Sequence, residues 1–325
     1  MSRRSTARAP AKAILLGEHF VVSGAKAISV ALGIYAIAEA EELPSWPSEI
    51  TSRDLGLRAL IQGPDLSYSG PSELSPIVAV IRALRSRDFD FPPFRLTIKS
   101  EIPDGAGLGS SASASAAAAL ALVGLAGSDI TRDELFYVTL EGERVAHGNP
   151  SGVDPATVVH GGVLLFKKET GVLERLGSLE GASVVVADSG LRRRTSGSIA
   201  SVLSMLERIG SLRSDLIAFA DKLVSSAWEA IKGMDHERLG LLMNVNHGLL
   251  SAIGVSTPEL EEIVYLARRA GALGSKVTGA GLGGSVIALA AHGSEEAVEE
   301  AMSRRASWVR VLQPGVEGAS LASEA

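Results

Sequence analysis

The stretch Pro103-Asp-Gly-Ala-Gly-Leu-Gly-Ser-Ser-Ala112 places three glycines at alternate positions, directly before two serines and an alanine-rich segment. Glycine adopts positive φ readily and lets a backbone approach a ligand closely. A helix that begins at Ser110 would direct its free N–H groups and the positive end of its dipole to the same place. The stretch therefore predicts an anion-binding loop that leads into a tightly packed helix over 110–125.

The spacing of this glycine loop excludes two common nucleotide-binding motifs. No Gly-Lys-Ser/Thr follows it, so it is not a Walker A loop, and it lacks the Gly-x-Gly-x-x-Gly spacing of dinucleotide-binding folds. Taken alone, it could also be a glycine-rich turn at a helix end.

A second glycine-rich loop, Lys276-Val-Thr-Gly-Ala-Gly-Leu-Gly-Gly-Ser285, lies between two apolar segments that we predict to be strands. In isolation it could be a loose hairpin. Two such loops in one chain are hard to explain as turns alone, and we interpret both as parts of one site.

Two further segments place charged side chains beside glycines: Lys12-Ala-Ile-Leu-Leu-Gly-Glu-His19 and His147-Gly-Asn-Pro-Ser-Gly-Val-Asp154. Glu143 precedes His147 by four residues and so shares its helix face. The simpler interpretations are a polar turn with a solvated lysine, and a helix start capped by Asp154. The alternative is a catalytic set of one cation and two carboxylates.

The composition excludes several classes of protein. The chain has 325 residues, 46% of them hydrophobic, with a formal net charge of −6 and no cysteine. It can therefore bury a core, and it has no disulfide, thiolate metal site or cysteine nucleophile. Serines and glycines interrupt the low-polarity stretch 105–128, which favours a packed helix over a membrane span. No signal-peptide core follows the N-terminus. We expect a soluble, cytoplasmic protein with no nucleic-acid or membrane partner.

Hydrophobic periodicity predicts strands mainly in the first half of the chain and helices mainly in the second, which favours an α+β fold over regular βαβ units. The predicted strands include a long one over 26–41 and a short one over 20–22. The predicted helices include 76–86, 110–125, 131–147, 196–209, 214–232, 236–250, 257–270 and 295–304. The polar segment 167–180 suggests two lobes, 1–172 and 173–325, and the last strand could return to the sheet of either lobe.

The four segments together resemble the GHMP kinase superfamily, the small-molecule kinases of galactose, homoserine, mevalonate and phosphomevalonate. Within it, Gly17-Glu-His-Phe-Val-Val-Ser-Gly24 and the segment that ends at Asp154 are most similar to the mevalonate kinases. The resemblance runs from residue 8 to residue 312. It implies a first lobe like domain 2 of ribosomal protein S5, a ferredoxin-like second lobe, and a site between them.

The resemblance also implies the site and its chemistry, which is phosphorylation of the 5-hydroxyl of (R)-mevalonate by ATP with Mg²⁺. Asp154 matches the general base and Lys12 the cation beside it, while Ser111 and Glu143 match the Mg²⁺ ligands. The implied ATP phosphate contacts are Gly105, Ala106, Gly107, Leu108, Gly109, Ser110, Ser111 and Ala112. The implied substrate contacts are Glu18, His19, Ser151, Gly152, Thr195, Gly279, Ala280 and Gly281. We also expect a homodimer.

The sequence departs from the family pattern at two positions and leaves alternatives open. Leu282 stands where the family usually has glycine, and Ser285 where it often has cysteine. The first alternative is a different GHMP kinase, acting on phosphomevalonate, galactose or homoserine. The others are a decarboxylase-like enzyme or a kinase that acts at the 3-hydroxyl, and a non-catalytic sensor. A sensor has no chemical need to keep Lys12, Glu143 and Asp154 together.

Overall fold

The computed structural model describes residues 3–192 and 195–322, and for residues 195–199 it describes the backbone only. The strands are β1 (Arg4–Leu16), β2 (Lys26–Glu42), β3 (Ser48–Ser52), β4 (Leu57–Ile61), β5 (Tyr68–Ser69), β6 (Phe94–Ser100), β7 (Val163–Lys167), β8 (Gly171–Leu176), β9 (Ala182–Asp188), β10 (Gly274–Val277), β11 (Ser285–Ala291), β12 (Trp308–Leu312) and β13 (Ser320–Leu321). The α-helices are α1 (Ser75–Arg85), α2 (Ser110–Leu125), α3 (Arg132–His147), α4 (Val153–His160), α5 (Thr195–Arg208), α6 (Leu212–Lys232), α7 (His236–Ala252), α8 (Pro258–Arg269) and α9 (Glu295–Ser303).

The first sheet has the strand order β13-β1-β2-β6-β3-β4-β5, and β7 pairs with β2 and with β8. Helix α2 packs on β1 and β2 and also contacts α1, α3 and α4. Its alanines 116–119 are fully buried, because a methyl side chain lets a helix lie close to a sheet. This close packing places the start of α2 beside the carboxyl end of β1.

The second sheet is antiparallel and has the order β10-β11-β9-β12. In the sequence order of its own strands this is the ferredoxin-like arrangement 2-3-1-4, with α5–α8 between the first and second strands and α9 before the last. The predicted α+β class and the ferredoxin-like second lobe are confirmed.

The two sheets share a core. Along β9, successive side chains point to opposite faces, as a strand requires. Val184 and Val186 join the core that includes Leu15, Ile28 and Trp228 from the other lobe and α6. Val185 and Ala187 join a second core with α8 and α9. The shared core holds the sheets in one arrangement and leaves a cleft at its edge.

The structure corrects one predicted element. Residues 20–22, predicted as a short strand, belong to a 3-10 turn over Phe20–Ser23. His19 at φ 61° and Gly24 at φ 95° reverse the chain on either side of it, which extended backbone cannot do.

The boundary predicted between residues 172 and 173 falls inside β8, and the exact limits of the two lobes stay a prediction. After β12 the chain returns to the first sheet, where β13 pairs with β1. Within the described residues, none of the helices combines the length and apolar character needed to cross a bilayer.

Candidate active site

A pocket at the edge of the shared core is lined by both glycine loops and by both charged segments. The lining includes most of the predicted site residues, namely Lys12, Glu18, His19, Gly105, Ala106, Gly107, Gly109, Ser110, Ser111, Glu143, Ser151, Gly152, Asp154, Gly279, Ala280 and Gly281. Leu108 and Ala112 belong to the same loop, but their side chains are buried in the core beneath it. The structure thus brings together segments that lie far apart in the sequence.

The first glycine loop has the backbone conformation that its sequence predicts. Gly105, Gly107 and Gly109 have φ values of 67°, 77° and 77°, in the region that L side chains rarely adopt. Gly109 is the N-cap of α2, which begins at Ser110 without a side-chain cap. The first N–H groups of α2 are therefore directed toward the pocket wall and are available to an anion.

The second glycine loop packs directly on the first. A Cβ on Gly279 would lie 3.2 Å from the carbonyl oxygen of Gly107, and one on Gly284 would lie 3.1 Å from that of Ala106. These backbones can approach so closely because neither glycine has a side chain. Thr278, at the start of the loop, exchanges hydrogen bonds with the N–H and carbonyl of Ile14, which joins the loop to β1.

Lys12 and Asp154 form an ion pair at the centre of the pocket. The Nζ of Lys12 lies 2.9 Å from Oδ1 of Asp154 and donates a hydrogen bond of 3.1 Å to the carbonyl of Gly107. The Lys12 side chain is 3% exposed and the Asp154 side chain 31%. Asp154 lies in the first turn of α4, whose N-cap is Gly152. The cation is thus buried behind the carboxylate, which faces the open part of the pocket.

Glu143 is a buried carboxylate whose Oε1 has no hydrogen-bond partner among the described residues. Burial raises its pKa, and the negative charge of Asp154 raises it further. His147, the Ser111 hydroxyl and the positive charge of Lys12 act in the opposite direction. An unpartnered carboxylate oxygen beside a hydroxyl offers the hard oxygen ligands that Mg²⁺ prefers.

His19 lines the pocket from the turn that follows β1. Its Nε2 lies 3.0 Å from the carbonyl oxygen of Ala280, so the imidazole bridges the turn after β1 and the second glycine loop. Burial lowers the pKa of His19 to about 4, which keeps the ring neutral at physiological pH. A neutral imidazole that donates from Nε2 to the carbonyl leaves Nδ1 as an acceptor.

Glu18 is 1% exposed and forms an ion pair with Lys276, which is completely buried. Burial raises the pKa of Glu18, and the attraction of Lys276 opposes this rise. Lys276 begins the second glycine motif, but no sequence pattern indicates that it pairs with Glu18, which precedes it by 258 positions.

The segment around Thr195 was predicted to contact the substrate. Thr195 begins α5, and its side chain lies outside the described residues, as do Arg193 and Arg194. Arg192 pairs with the buried carboxylate of Asp188 at 3.0 Å, and its aliphatic part packs over Gly105. At this point the second lobe contacts the first glycine loop.

The two residues that depart from the family pattern, Leu282 and Ser285, have different surroundings. Leu282 has φ 59°, donates its N–H to the carbonyl of Val255, and is not part of the pocket lining. The leucine thus adopts a left-handed conformation that glycine would adopt without strain. Ser285 is buried at the start of β11.

The pocket also contains residues that were not predicted. An apolar side is formed by Ile14, Val21, Val22, Pro150 and Pro155. His147 lies 3.7 Å from Glu143, and Asp104 lies at the entrance to the first glycine loop. All of these residues except Pro155 fall inside the motif segments. The motifs therefore indicate that these residues lie near the site, but not which of their side chains face the pocket.

Comparisons with known proteins agree with this geometry. The family model described as GHMP kinases N terminal domain matches residues 75–162, and the one described as GHMP kinases C terminal matches residues 227–307. The chain is 38% identical over 322 residues to the mevalonate kinase of Aeropyrum pernix, covering 99% of both chains. It is 36% identical to the mevalonate kinase of Pyrococcus furiosus, covering 89% of this chain and 90% of that one.

Solved structures give the same result. A crystal structure of L. major mevalonate kinase in complex with R-mevalonate superposes with a TM-score of 0.82 at 28% identity, covering 98% of each chain. A Lactococcus lactis galactokinase in complex with galactose has a TM-score of 0.83 at 21% identity, covering 98% of this chain and 95% of that one, which shows the shared fold alone. The fold, the pocket and the relatives together show that the chain belongs to the GHMP kinase family, as an ATP-dependent kinase that phosphorylates an alcohol group.

Proposed function

We propose that the chain is a mevalonate kinase, which transfers the γ-phosphoryl group of ATP to the 5-hydroxyl of (R)-mevalonate and so supplies 5-phosphomevalonate for isoprenoid biosynthesis. The observation that carries the chemistry is the buried Lys12–Asp154 ion pair between the two glycine loops. The choice of substrate is supported by relatives over the whole chain that are named mevalonate kinase.

The first glycine loop is the proposed binding site for the phosphates of ATP. Residues 105–112 would surround the triphosphate with backbone N–H groups, and the positive end of the α2 dipole adds to this attraction. Lys12 contributes to the same field, because its Nζ donates to the carbonyl of Gly107 and lies just behind the loop.

Asp154 and Lys12 are the proposed catalytic residues. Phosphoryl transfer passes through a loose transition state, so alignment of the attacking hydroxyl matters more than the strength of a base. The 5-hydroxyl would donate its proton to the exposed carboxylate of Asp154. The ammonium of Lys12, 2.9 Å from the carboxylate, favours the partly deprotonated hydroxyl and holds the carboxylate in place.

Ser111 and Glu143 are the proposed protein ligands of Mg²⁺, and the unpartnered Oε1 of Glu143 supports this assignment. No cluster of three or more metal-ligating side chains occurs in the described residues. A site with one carboxylate and one hydroxyl suits a Mg²⁺ ion that also binds phosphate oxygens and water. When bound, the ion would neutralise charge on the phosphates.

Mevalonate would occupy the part of the pocket between His19, Ser151, Gly152 and the loop 279–281. The apolar side around Val21 suits its methyl-substituted carbon, and His19 offers a hydrogen bond to a hydroxyl or to the carboxylate. Thr195 remains a proposed substrate contact. We further propose that the protein is a cytoplasmic homodimer.

A substrate panel tests the proposed function. Coupled measurement of ADP release with mevalonate, phosphomevalonate, galactose and homoserine should give turnover with mevalonate. ³¹P–¹H NMR should place the phosphate of the product on the 5-oxygen. Turnover of another alcohol with none of mevalonate, or phosphate on the 3-oxygen, would reject the assignment.

The Asp154→Asn variant tests the mechanism. We expect kcat to fall by about 10²- to 10⁴-fold, because the amide cannot accept the proton, while the KM for ATP changes little. Asp129→Asn, an exposed change away from the pocket lining, is the control and should leave kcat unchanged. Unchanged turnover in Asp154→Asn would show that the carboxylate has no part in the reaction.

A further inference from the structure

Three buried polar side chains lie beside the pocket, one of them in its lining, and connect the two lobes. Glu18 follows β1, Asn246 lies on α7 and Lys276 lies on β10, and all three are at most 1% exposed. The Nζ of Lys276 donates to the Glu18 carboxylate, to the carbonyl of Ile14 at 3.3 Å and to that of Val277 at 2.6 Å. All three ammonium protons therefore have an acceptor.

Asn246 closes this network. Its Nδ2 donates to Oε2 of Glu18 at 3.2 Å, and its Oδ1 accepts from the N–H of Gly17 at 3.3 Å. Both oxygens of Glu18 thus already accept hydrogen bonds from the protein. Because Glu18 is this deeply buried and this fully engaged, its carboxylate does not need a substrate group as a partner.

Stability alone does not explain a charge pair at this position. Removing two ions from water is costly, and a buried pair can often be replaced by apolar groups of similar volume with no loss of stability. A pair in fixed geometry does, however, specify the relative position of the segments that carry it. Here those segments are the turn at 17–19 and the strand that leads into the loop 278–284.

Both segments form the alcohol-binding side of the pocket. His19, next to Glu18, lies against Ala280, four residues after Lys276. His19 also has a positive φ of 61°, a conformation that a histidine keeps only when its surroundings hold it. The ion pair ties the residue before His19 to the strand that leads to Ala280, and so acts beside the Thr278–Ile14 hydrogen bonds in holding the two segments together.

We propose that the Glu18–Lys276 pair is a positioning device for the substrate, which holds the turn bearing His19 against the second glycine loop and so sets the shape of the alcohol-binding side. This inference rests on the proposed function. The first glycine loop is anchored separately, because the N–H of Lys12 donates to the carbonyl of Leu108 and Ser113 donates to that of Pro10. Loss of the pair should therefore weaken the binding of the alcohol much more than the binding of ATP.

The paired variant Glu18→Gln/Lys276→Met tests the inference, since it removes both charges and keeps similar volumes. We expect a melting temperature close to that of the unaltered chain, a KM for mevalonate raised on the order of tenfold, and a KM for ATP within about twofold. The matched control is Asp221→Asn, which removes the partner of Lys26 in another ion pair between the lobes, away from the pocket lining. It should leave both KM values unchanged.

Two results would overturn the inference. An unchanged KM for mevalonate in a well-folded paired variant would show that the pair is only structural, and a parallel rise of both KM values would show a general effect on the fold. If the paired variant does not fold, Asn246→Ala is measured instead, and an unchanged KM for mevalonate there also rejects the inference. If the unaltered chain phosphorylates a different alcohol of the panel, the proposed function is rejected. The inference about the Glu18–Lys276 pair is then tested by measuring the KM for that alcohol in the paired variant.

Discussion

At the scale of the residue, Lys12 shows how burial gives one side chain two tasks. Its backbone N–H and its Nζ both donate to carbonyls of the first glycine loop, while Nζ also pairs with Asp154. A water-exposed pair at this distance would contribute little, because solvent screens it. The Lys12 side chain is 3% exposed, so its charge acts on the first glycine loop and on the carboxylate with little screening.

The lowered pKa of His19 predicts how the stability of the protein depends on pH. The folded protein holds its pKa at about 4, against 6.5 for a free histidine. Above pH 6.5 neither state binds the proton. As the pH falls from 6.5 to 4, the unfolded chain binds it and the folded protein does not, so the free energy of unfolding falls by up to about 3 kcal/mol. Urea unfolding at pH 7 and pH 4.5 measures this loss.

The His19→Gln variant is the comparison for that measurement, because it should lose less stability on acidification than the unaltered chain. His160 and His247, whose pKa values burial also lowers, are present in both proteins and cancel in the difference. Identical losses in the two proteins would mean that His19 is protonated in the folded state.

At the scale of the element, the start of α2 depends on Gly109 having no side chain. Gly109 has φ 77°, and a Cβ there would lie 2.8 Å from Cγ of Lys12. In Gly109→Ala we expect a loss of about 1 kcal/mol from the left-handed backbone. We also expect kcat to fall on the order of 10²-fold, because Lys12 must shift away from Asp154 and the loop.

Gly127→Ala is the matched control for this variant. Gly127 has φ 68°, but a Cβ there meets no atom within 4 Å. It should show a similar loss of stability by thermal unfolding and an unchanged kcat. An unchanged kcat in Gly109→Ala as well would show that the position of Lys12 tolerates this displacement.

The strands and helices with a clear hydrophobic periodicity were predictable from the sequence. Strand β2 alternates or runs apolar along its length, and α2 follows directly from the glycine loop and the alanines. Strand β8 was missed because it is a largely exposed strand, Gly171–Leu176, without a buried face to create alternation. The turn at 20–22 was misassigned because its apolar residues fit a strand, and only the positive φ values on either side exclude one.

At the scale of the whole molecule, the four segments predicted one site, but the contacts between them could not be predicted. The pairing of Glu18 with Lys276 and the stacking of Gly279 on Gly107 depend on how two sheets pack, and no local pattern records this. The fold also does not choose the substrate, since a galactokinase and a mevalonate kinase superpose about equally well. The proposed function assigns that choice to the side chains around His19 and Val21, which line the pocket.

The segment after β12 joins the second lobe to the first, and Gly318 is its tightest point. A Cβ there would lie 2.2 Å from the carbonyl oxygen of Val159, in the helix that carries Asp154. The N–H of Ala319 donates to Val158 nearby, and the N–H of Gly162 donates to Val316. In Gly318→Ala these bonds must lengthen or break, so we expect the free energy of unfolding to fall by about 1–3 kcal/mol.

Gly177→Ala, where a Cβ meets nothing within 4 Å, should unfold at the same urea concentration as the unaltered chain. Equal urea midpoints for both variants would show that the returning segment does not hold the lobes together.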